Sequence, residues 1–566
     1  MASGRPFRLY FLNSRALIAV VVIIIIIAAA GVVYYVGLKT STTTTTSSSM
    51  STTTSSSTTA TVVTSSLSSS SQSQNSNASG QLVIAQNTDP STLDPMVSGG
   101  SVAQNVEQYI FEPLISMVSV HNTTEFVPAL ATSYQQVNST AWIFNLRQGV
   151  MFQDGTPFNA TAVVAHFTRL LNKSNTHFSG SRSSIPAGFA VTVINNYEVE
   201  FTTPNPWPLL LDVMADPILG MIASPSSYLK YSVASIGPHP VGTGPYILES
   251  WQTGVKITLQ AWSSYWGPKP KIQTLAFEPI ADDNSRALAL ESNSVNFITN
   301  VPPSLIPSLE QKGYTVLNEP STSTMMLWID ASQAPLSNRL VRLAMNYAIN
   351  DSAIVQNVLQ GGGTVANNGI APSVFGYTSP SNYFTYNPTM AKSLLAQAGY
   401  SNGFSFTLYV TGSYLLDSQV AQALAGYFGA VGITANIQTI NIATYLSELR
   451  AGVANSSKAL PNTAGLLAEG AVDADQVYYN LWYSSSLQNY WHYSNSTYDG
   501  LVLQAHTTSN QTLRKSLYAQ ALQILVNNPP AIFLYYQNNI VAFSSSLKGA
   551  YQNPLGLDIF NNATIS

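Results

Sequence analysis

The chain has 566 residues, of which 22 are Lys or Arg and 26 Asp or Glu, a formal net charge of −4; 8% are charged, 45% are hydrophobic and none is cysteine. The missing cysteine excludes disulfides, thiolate metal sites, a cysteine nucleophile and a lipid-modified cysteine anchor. Arg5, Arg8, Arg15 and Lys39 all precede the first acidic residue, Asp89, so the remainder carries −8 once those four charges are set apart, which argues against nucleic acid as a partner.

The first element is a basic leader, residues 1–16, expected to lie in the cytoplasm. Residues 17–38 follow as an apolar run without a charge, with Ile23 to Ile27 at its centre, long enough to cross a bilayer as one helix. Three arginines before it and one lysine after it orient the N-terminus inward and everything beyond Lys39 outward. The expected location is therefore the cell membrane, single-pass, with the main domain extracellular. An uncleaved signal anchor is the plainer reading of this run. Ser14-Arg15-Ala16 before Leu17 is also similar to an archaeal prepilin-type cleavage site, and cleavage there would leave the helix in place.

Residues 39–80 are almost wholly Ser and Thr and cannot bury enough apolar surface to offset their ordering entropy, so they read as a stalk. As a coil it would span roughly 35 Å. With so few charges, the exterior must be covered by Ser, Thr, Asn, Gln and Tyr. Asn-x-Ser/Thr triplets at Asn77, Asn122, Asn138, Asn159, Asn172, Asn350, Asn455, Asn495, Asn510 and Asn562 point to glycosylation, although an Asn- and Ser-rich chain produces some by chance. Anchor type, stalk and missing cysteine together point to an archaeal source.

Beyond the stalk the pattern is α/β. Trp142, Phe144 and Leu146 alternate as a half-buried strand and lead through Gly149-Val150-x-Phe152 to the turn Asp154-Gly155-Thr156-Pro157. Ile257 with Leu259, and Phe404, Phe406 and Leu408, alternate likewise. Leu340, Leu343, Ala344, Tyr347 and Ala348 have helical spacing, as do Leu517, Ala521, Ile524 and Leu525, and Gly399 is placed to cap a helix C-terminus. Nearly five hundred residues exceed what one core supports, so two or more lobes are expected.

The run from Phe126 to Ala160, FVPALATSYQQVNSTAWIFNLRQGVMFQDGTPFNA, closely resembles the signature of the extracellular solute-binding proteins of peptide-type ABC importers, family 5. Further segments match the family in order. They are Asp89-Pro90-x-x-Leu93-Asp94-Pro95, Tyr109-Ile110-Phe111-Glu112-Pro113-Leu114, Pro240-Val241-Gly242-Thr243-Gly244-Pro245-Tyr246, and Tyr265-Trp266-Gly267-x-Lys269-Pro270. Later come Asp283-x-x-Arg286-Ala287-Leu288, Arg339-x-x-Arg342-x-Ala344-x-x-Tyr347-Ala348-Ile349-Asn350 and Asn387-Pro388-x-x-Ala391-Lys392. The family's Gly-Glu-Val-Asp stands here as Ser292-Asn293-Ser294-Val295-Asn296.

The resemblance implies a two-lobed periplasmic-binding-protein-like α/β fold with mixed sheets, a hinge and an extra small domain. Residues 82–125, 235–320 and 532–566 would form lobe I, 126–234 the small domain II and 321–531 lobe III. Hinge strands are expected near Glu319 to Met325 and Pro530 to Tyr536. It also implies a protein that captures oligopeptides or oligosaccharides and delivers them to ABC permease subunits. No Gly-x-x-x-x-Gly-Lys loop is present, so ATP hydrolysis would belong to a separate ATPase.

The candidate ligand-binding set is Glu469, Asp473, Tyr478, Trp482, Tyr490 and Trp491, with Ser98, Gly99 and Gly100 in an early loop and Trp328 on the strand entering lobe III. In peptide-binding relatives this region carries Gly-Trp-x-x-Asp, whose aspartate neutralises a peptide's ammonium. Here the stretch reads Gly465-Leu466-Leu467-Ala468-Glu469, and counting back from Asp473 places Gly470 at that position instead. Where some relatives hold the peptide carboxylate with Arg, this chain has Ser418 and Gln419 near Asp417. That neutral, aromatic character leans toward sugar, with rings stacking on its faces; the same rings at these spacings also suit a core. No histidine pair has metal spacing and no Gly-x-Ser-x-Gly elbow occurs, so no cofactor, metal or catalytic set is expected. The competing reading is a glycosylated, membrane-anchored structural surface protein.

Overall fold

The computed structural model describes residues 80–566 other than 99, 121–122, 175–184, 234, 455–459 and 461. The expected leader, apolar helix and stalk up to residue 79, and Gly99, lie outside the described residues. Among the described residues no helix is long and apolar enough to cross a membrane.

The described chain opens on β1 (Gln81–Gln86), whose run Leu82 to Ala85 is buried, as suits a strand with parallel neighbours on both sides. A hairpin of β2 (Ile115–Val120) and β3 (Thr123–Pro128) leads to β4 (Ala131–Asn138), β5 (Ala141–Leu146), β6 (Ala190–Asn195) and β7 (Glu198–Thr202). These four make an antiparallel sheet in the order β4-β5-β7-β6. Then come β8 (Tyr246–Gln252), β9 (Lys256–Ala261), β10 (Thr274–Pro279), β11 (Phe297–Ile298) and β12 (Thr315–Ile329), followed by β13 (Gly363–Val365), β14 (Phe404–Val410), β15 (Ile433–Thr439), β16 (Thr463–Gly470) and β17 (Ala531–Phe543). With β1 they form one eleven-stranded sheet, ordered β15-β14-β16-β12-β17-β11-β1-β10-β9-β8, with β13 on β17.

Two strands carry that sheet from one lobe to the other. β12 pairs with β17 at Thr315–Pro320 in the first lobe and at Thr324–Trp328 in the other, and the ladder lapses between Pro320 and Thr324. There the Ser321 hydroxyl donates to the Gln537 carbonyl at 2.6 Å. On either side, separate cores cover both faces of the sheet. The small domain has its own core, which takes in Leu114 and Ile115 ahead of the signature and ends at Ile222.

The sequence motifs converge in space. In the Asp154 turn the Thr156 N–H donates to the Asp154 carboxylate at 3.0 Å and Gly155 has φ 80°. The neighbouring Gln153 amide donates to the carbonyls of Ile110, Gly244 and Tyr246, and its oxygen accepts from Gly242 N–H at 3.2 Å. A side chain at Gly242 would meet the Ile110 carbonyl at 2.0 Å, so only glycine permits that approach. Glu112 then accepts from the Thr243 and Tyr265 hydroxyls and the Trp266 indole, at 2.8, 2.6 and 2.7 Å. Four motifs thus lock the small domain onto lobe I.

Elsewhere the helix Arg339–Tyr347 buries Val341, Ala344 and Met345, a stripe offset from the Leu340–Leu343 face that spacing picks out. The Asn-x-Ser/Thr triplets at Asn159, Asn350, Asn495 and Asn510 cap helices with their side chains, which accounts for Asn at those positions without reference to glycans.

Arg169, on the helix Ala160–Leu171, donates to both oxygens of buried Asp94, at 3.1 and 2.5 Å. Arg169→Met strands that carboxylate and is expected to cost about 3 kcal/mol in urea denaturation. Adding Asp94→Asn should recover most of the loss, as a double-mutant cycle would show.

Candidate functional site

Glu469 sits near the C-terminal end of β16, which is parallel to β14, and in α/β sheets ligands bind beyond such ends. It stands directly opposite Thr324 on β12, which stands opposite Tyr536 on β17. These three side chains form a row on one face. The Thr324 hydroxyl is fully buried and has no hydrogen-bond partner among the described residues. Burial pushes the half-buried Glu469 carboxyl up to about 7, and no ion pair among the described residues involves it.

β14 ends its ladder on β16 at Val410–Leu466, so Leu467 to Gly470 have no strand on that side. Tyr414 covers the gap, its hydroxyl 3.4 Å from the Ala468 carbonyl. Burial, then the Glu469 charge, then that of Asp417, raise the Tyr414 hydroxyl above its ordinary range. Asp417 is itself raised by burial and accepts from Tyr414 N–H and the Ser418 hydroxyl, at 3.4 and 3.3 Å. Among the described residues this corner of the cleft carries two carboxylates and no cation paired with either. Thr322 and Val472, which flank it, also line a cavity of ≈ 500 Å³, together with Phe111 and Glu112 of lobe I and Ala215 and Pro217 of the small domain. The lobes touch at this level, since Leu415 of lobe III packs against the lobe I core that contains Ala85.

Other expected site residues lie elsewhere. Asp473 is held bidentately by Arg514 at 2.9 and 2.7 Å, both groups nearly inaccessible, which leaves no free oxygen for a solute. Trp328, Trp482, Trp491 and Tyr478 are buried in one core. Trp328 stacks on Trp491 with centroids 6.0 Å apart, and its indole donates to the Leu467 carbonyl at 3.2 Å. Tyr478 donates to Asn368 at 2.7 Å. Their faces are spent on one another and present no stacking platform, a correction to the sugar-binding expectation. Tyr490 is half-buried at the edge of that core, beside His492 and Asp330. In lobe I the Ser98 hydroxyl donates to Glu107 at 2.8 Å, and Gly100, at φ 82°, begins the helix Ser101–Glu107. Burial pushes Glu107 up to about 8. Neither Ser98 nor Gly100 meets Glu469. Thr324, Tyr414 and Tyr536 were not singled out from sequence; the polar run Ser321 to Thr324 ahead of an apolar strand was the available signal.

Two lobes joined by two strands, with a cavity and orphaned polar groups between them, define a binding protein that closes over a solute. Residues 125–500 match the family of bacterial extracellular solute-binding proteins, family 5 Middle. The chain is 30% identical over 484 residues to the glutathione-binding protein GsiB of Shigella dysenteriae, covering 84% of this chain and 93% of that one. It is similar to the periplasmic binding protein DppA of Helicobacter pylori in complex with peptide STSA, at 25% identity and TM-score 0.77, covering 86% of this chain and 98% of that one. The oligopeptide-binding protein AppA of Bacillus subtilis, in complex with a nonapeptide, shares the fold at 22% identity and TM-score 0.75, with 86% and 99% covered. The chain belongs to the family 5 extracellular solute-binding proteins, whose main domain works outside the cytoplasm.

Because Glu469 holds its proton more tightly folded than unfolded, its stability contribution is full below the ordinary glutamate pKa and is lost as pH rises toward 7. Glu469→Gln removes that loss. The variant should exceed the parent by about 2 kcal/mol at pH 8 and match it at pH 4 in denaturant titrations. Arg514→Met, by contrast, should destabilise by about 3–5 kcal/mol, read by the same titration, because it leaves buried Asp473 uncompensated.

Proposed function

We propose that the chain is the substrate-binding protein of an ABC importer and captures peptides through a free amino group held by Glu469. The observation that carries this reading is the Glu469 carboxylate, without an ion-pair partner, opposite the orphaned Thr324 hydroxyl and beside the unpaired edge of β16. An ammonium supplies the missing charge, and a peptide backbone supplies a strand for that edge. The relatives whose names record glutathione or peptide as ligand support the peptide class. Oligosaccharide capture draws on rings that lie in the core, and so has less support.

In this reading residues 17–38 anchor the protein and 39–80 tether it, so that solute is handed to permease subunits powered by a separate ATPase. The anchor, glycosylation of the exterior and an archaeal source rest on the sequence alone.

The test is calorimetric titration and thermal melting of the full chain with tetrapeptides, their N-acetylated forms and oligosaccharides. A free peptide at 100 times its dissociation constant should add about 2.7 kcal/mol. N-acetylation should weaken binding about tenfold or more, and Glu469→Gln should abolish the difference. Equal binding of acetylated peptide, or stabilisation by sugar alone, would overturn the assignment.

A further inference from the structure

The wall of the ≈ 500 Å³ cavity is short of charge and rich in proline: Pro113, Pro217, Pro245, Pro268, Pro270 and Pro554 all line it. Proline has no backbone N–H, so at those six positions the wall can accept a hydrogen bond but cannot donate one. Phe111, Met117, Met221 and Leu555 supply apolar surface between them, and the polar groups beside these, such as Ser116 and Asn561, are neutral. None of the described residues lining the cavity is Lys, Arg or His, and Glu112 is the one acid.

Two cations close by are committed elsewhere. Lys269, between two lining prolines, donates its ammonium to the Ser263 and Tyr265 carbonyls, both at 2.6 Å. Arg147 lies over the Trp266 ring at 4.6 Å and donates to the Ala129 carbonyl at 3.1 Å. Glu112 accepts from Thr243, Tyr265 and Trp266, at 2.8, 2.6 and 2.7 Å, so the protein already satisfies it.

The cavity adjoins the corner where Glu469 stands. Thr322, two positions before Thr324, and Val472, three positions after Glu469, both line it. The C-terminal loop is fastened at the same point, because the Thr322 N–H donates to the Pro554 carbonyl and the Asn539 amide to the Asn553 carbonyl, both at 3.0 Å. An extended peptide covers roughly 7 Å in two residues, which leads from Glu469 into this space. We propose that the cavity takes the third and later residues of a peptide held at Glu469, admitting apolar, uncharged side chains and rejecting charged ones.

The physical ground is desolvation. A carboxylate or ammonium entering this space gives up its water and finds no free counter-charge, which is strongly unfavourable, whereas an aliphatic side chain gains from the same burial. A terminal carboxylate is turned away on the same terms, in keeping with the neutral Ser418 and Gln419 of this chain.

The selectivity rests on peptide capture through Glu469, and the two fail separately. The experiment is calorimetric titration of the full chain at pH 7 with Ala-Ala-Leu-Leu, Ala-Ala-Glu-Glu and Ala-Ala-Lys-Lys, each also N-acetylated and C-amidated. The leucine peptide should bind about tenfold or more tightly than either charged one, and amidation should not weaken it. In Leu555→Arg, on the half-buried loop that lines the cavity, the penalty on the glutamate peptide should fall about tenfold as a guanidinium supplies the missing partner. Equal affinity for leucine and glutamate peptides overturns the proposal, as does a tenfold loss on amidation. Tightest binding of the lysine peptide overturns it too, since that traces selection to the acidic corner at large. A folded Leu555→Arg that keeps the parent's preference puts the side chains outside the cavity and overturns it likewise; the parent series decides alone if that variant misfolds. A leucine preference that is unchanged by N-acetylation removes Glu469 as the anchor while upholding the cavity's selectivity, and no binding by any of the peptides overturns both.

Discussion

Among the described residues only β12 and β17 cross between the lobes, and the rest of the described fold is arranged around that constraint. Each strand is long because it serves two cores: β17 pairs with β11 at its lobe I end and with β13 in lobe III, while β12 pairs with β17 in both lobes and with β16 in lobe III. The ladder runs unbroken over Thr315–Pro320 and resumes from Thr324 to Trp328 with one register shift between Met325 and Met326, so the lapse at Ser321–Ser323 is its widest gap and concentrates bending there. Two polar groups near this lapse, the Thr324 hydroxyl and the Gln537 side-chain oxygen, are buried and unsatisfied among the described residues. In a native fold such groups are exceptions that call for a ligand or water.

The scarcity of charge gives each ionic contact more weight. With 8% of residues charged, several of the few ion pairs lie in the interior and are structural. Asp94–Arg169 ties the small domain to lobe I, Asp473–Arg514 holds the turn after β16, and buried Arg342 donates to the carbonyls of Pro529, Leu336 and Ser337 where β17 begins. Among the described residues, what remains beside the β16 edge is acidic, in Asp417 and Glu469, so the electrostatic bias there follows from where the cations were used.

Much of the fold was legible because local rules and tertiary needs agree at the motifs. The Asp154 turn, the Gly399 cap and the alternation in β5, β9 and β14 all read correctly from sequence, since each depends on neighbours within a few residues. The aromatic run from Tyr478 to Trp491 did not. Ring spacing is the same for a pocket wall and a core, and the choice is made by Trp328, Asn368 and Phe533, which lie far away in sequence. Asp473 was ambiguous for a similar reason, because its partner Arg514 is forty-one positions on and nothing local announces it. Glu469 stood out because it falls where peptide-binding relatives carry the aspartate of their Gly-Trp-x-x-Asp run.

The position of β1 bears on how the protein carries load. The chain enters the described fold at Gly80 and runs straight into a strand bonded in parallel to β10 over six residues and to β11 beside it. A pull along the axis of β1 shears those bonds together rather than peeling them one at a time. Load applied at that end would be met in the middle of the lobe I sheet, while lobe III, joined to it through β12 and β17, would carry little of it.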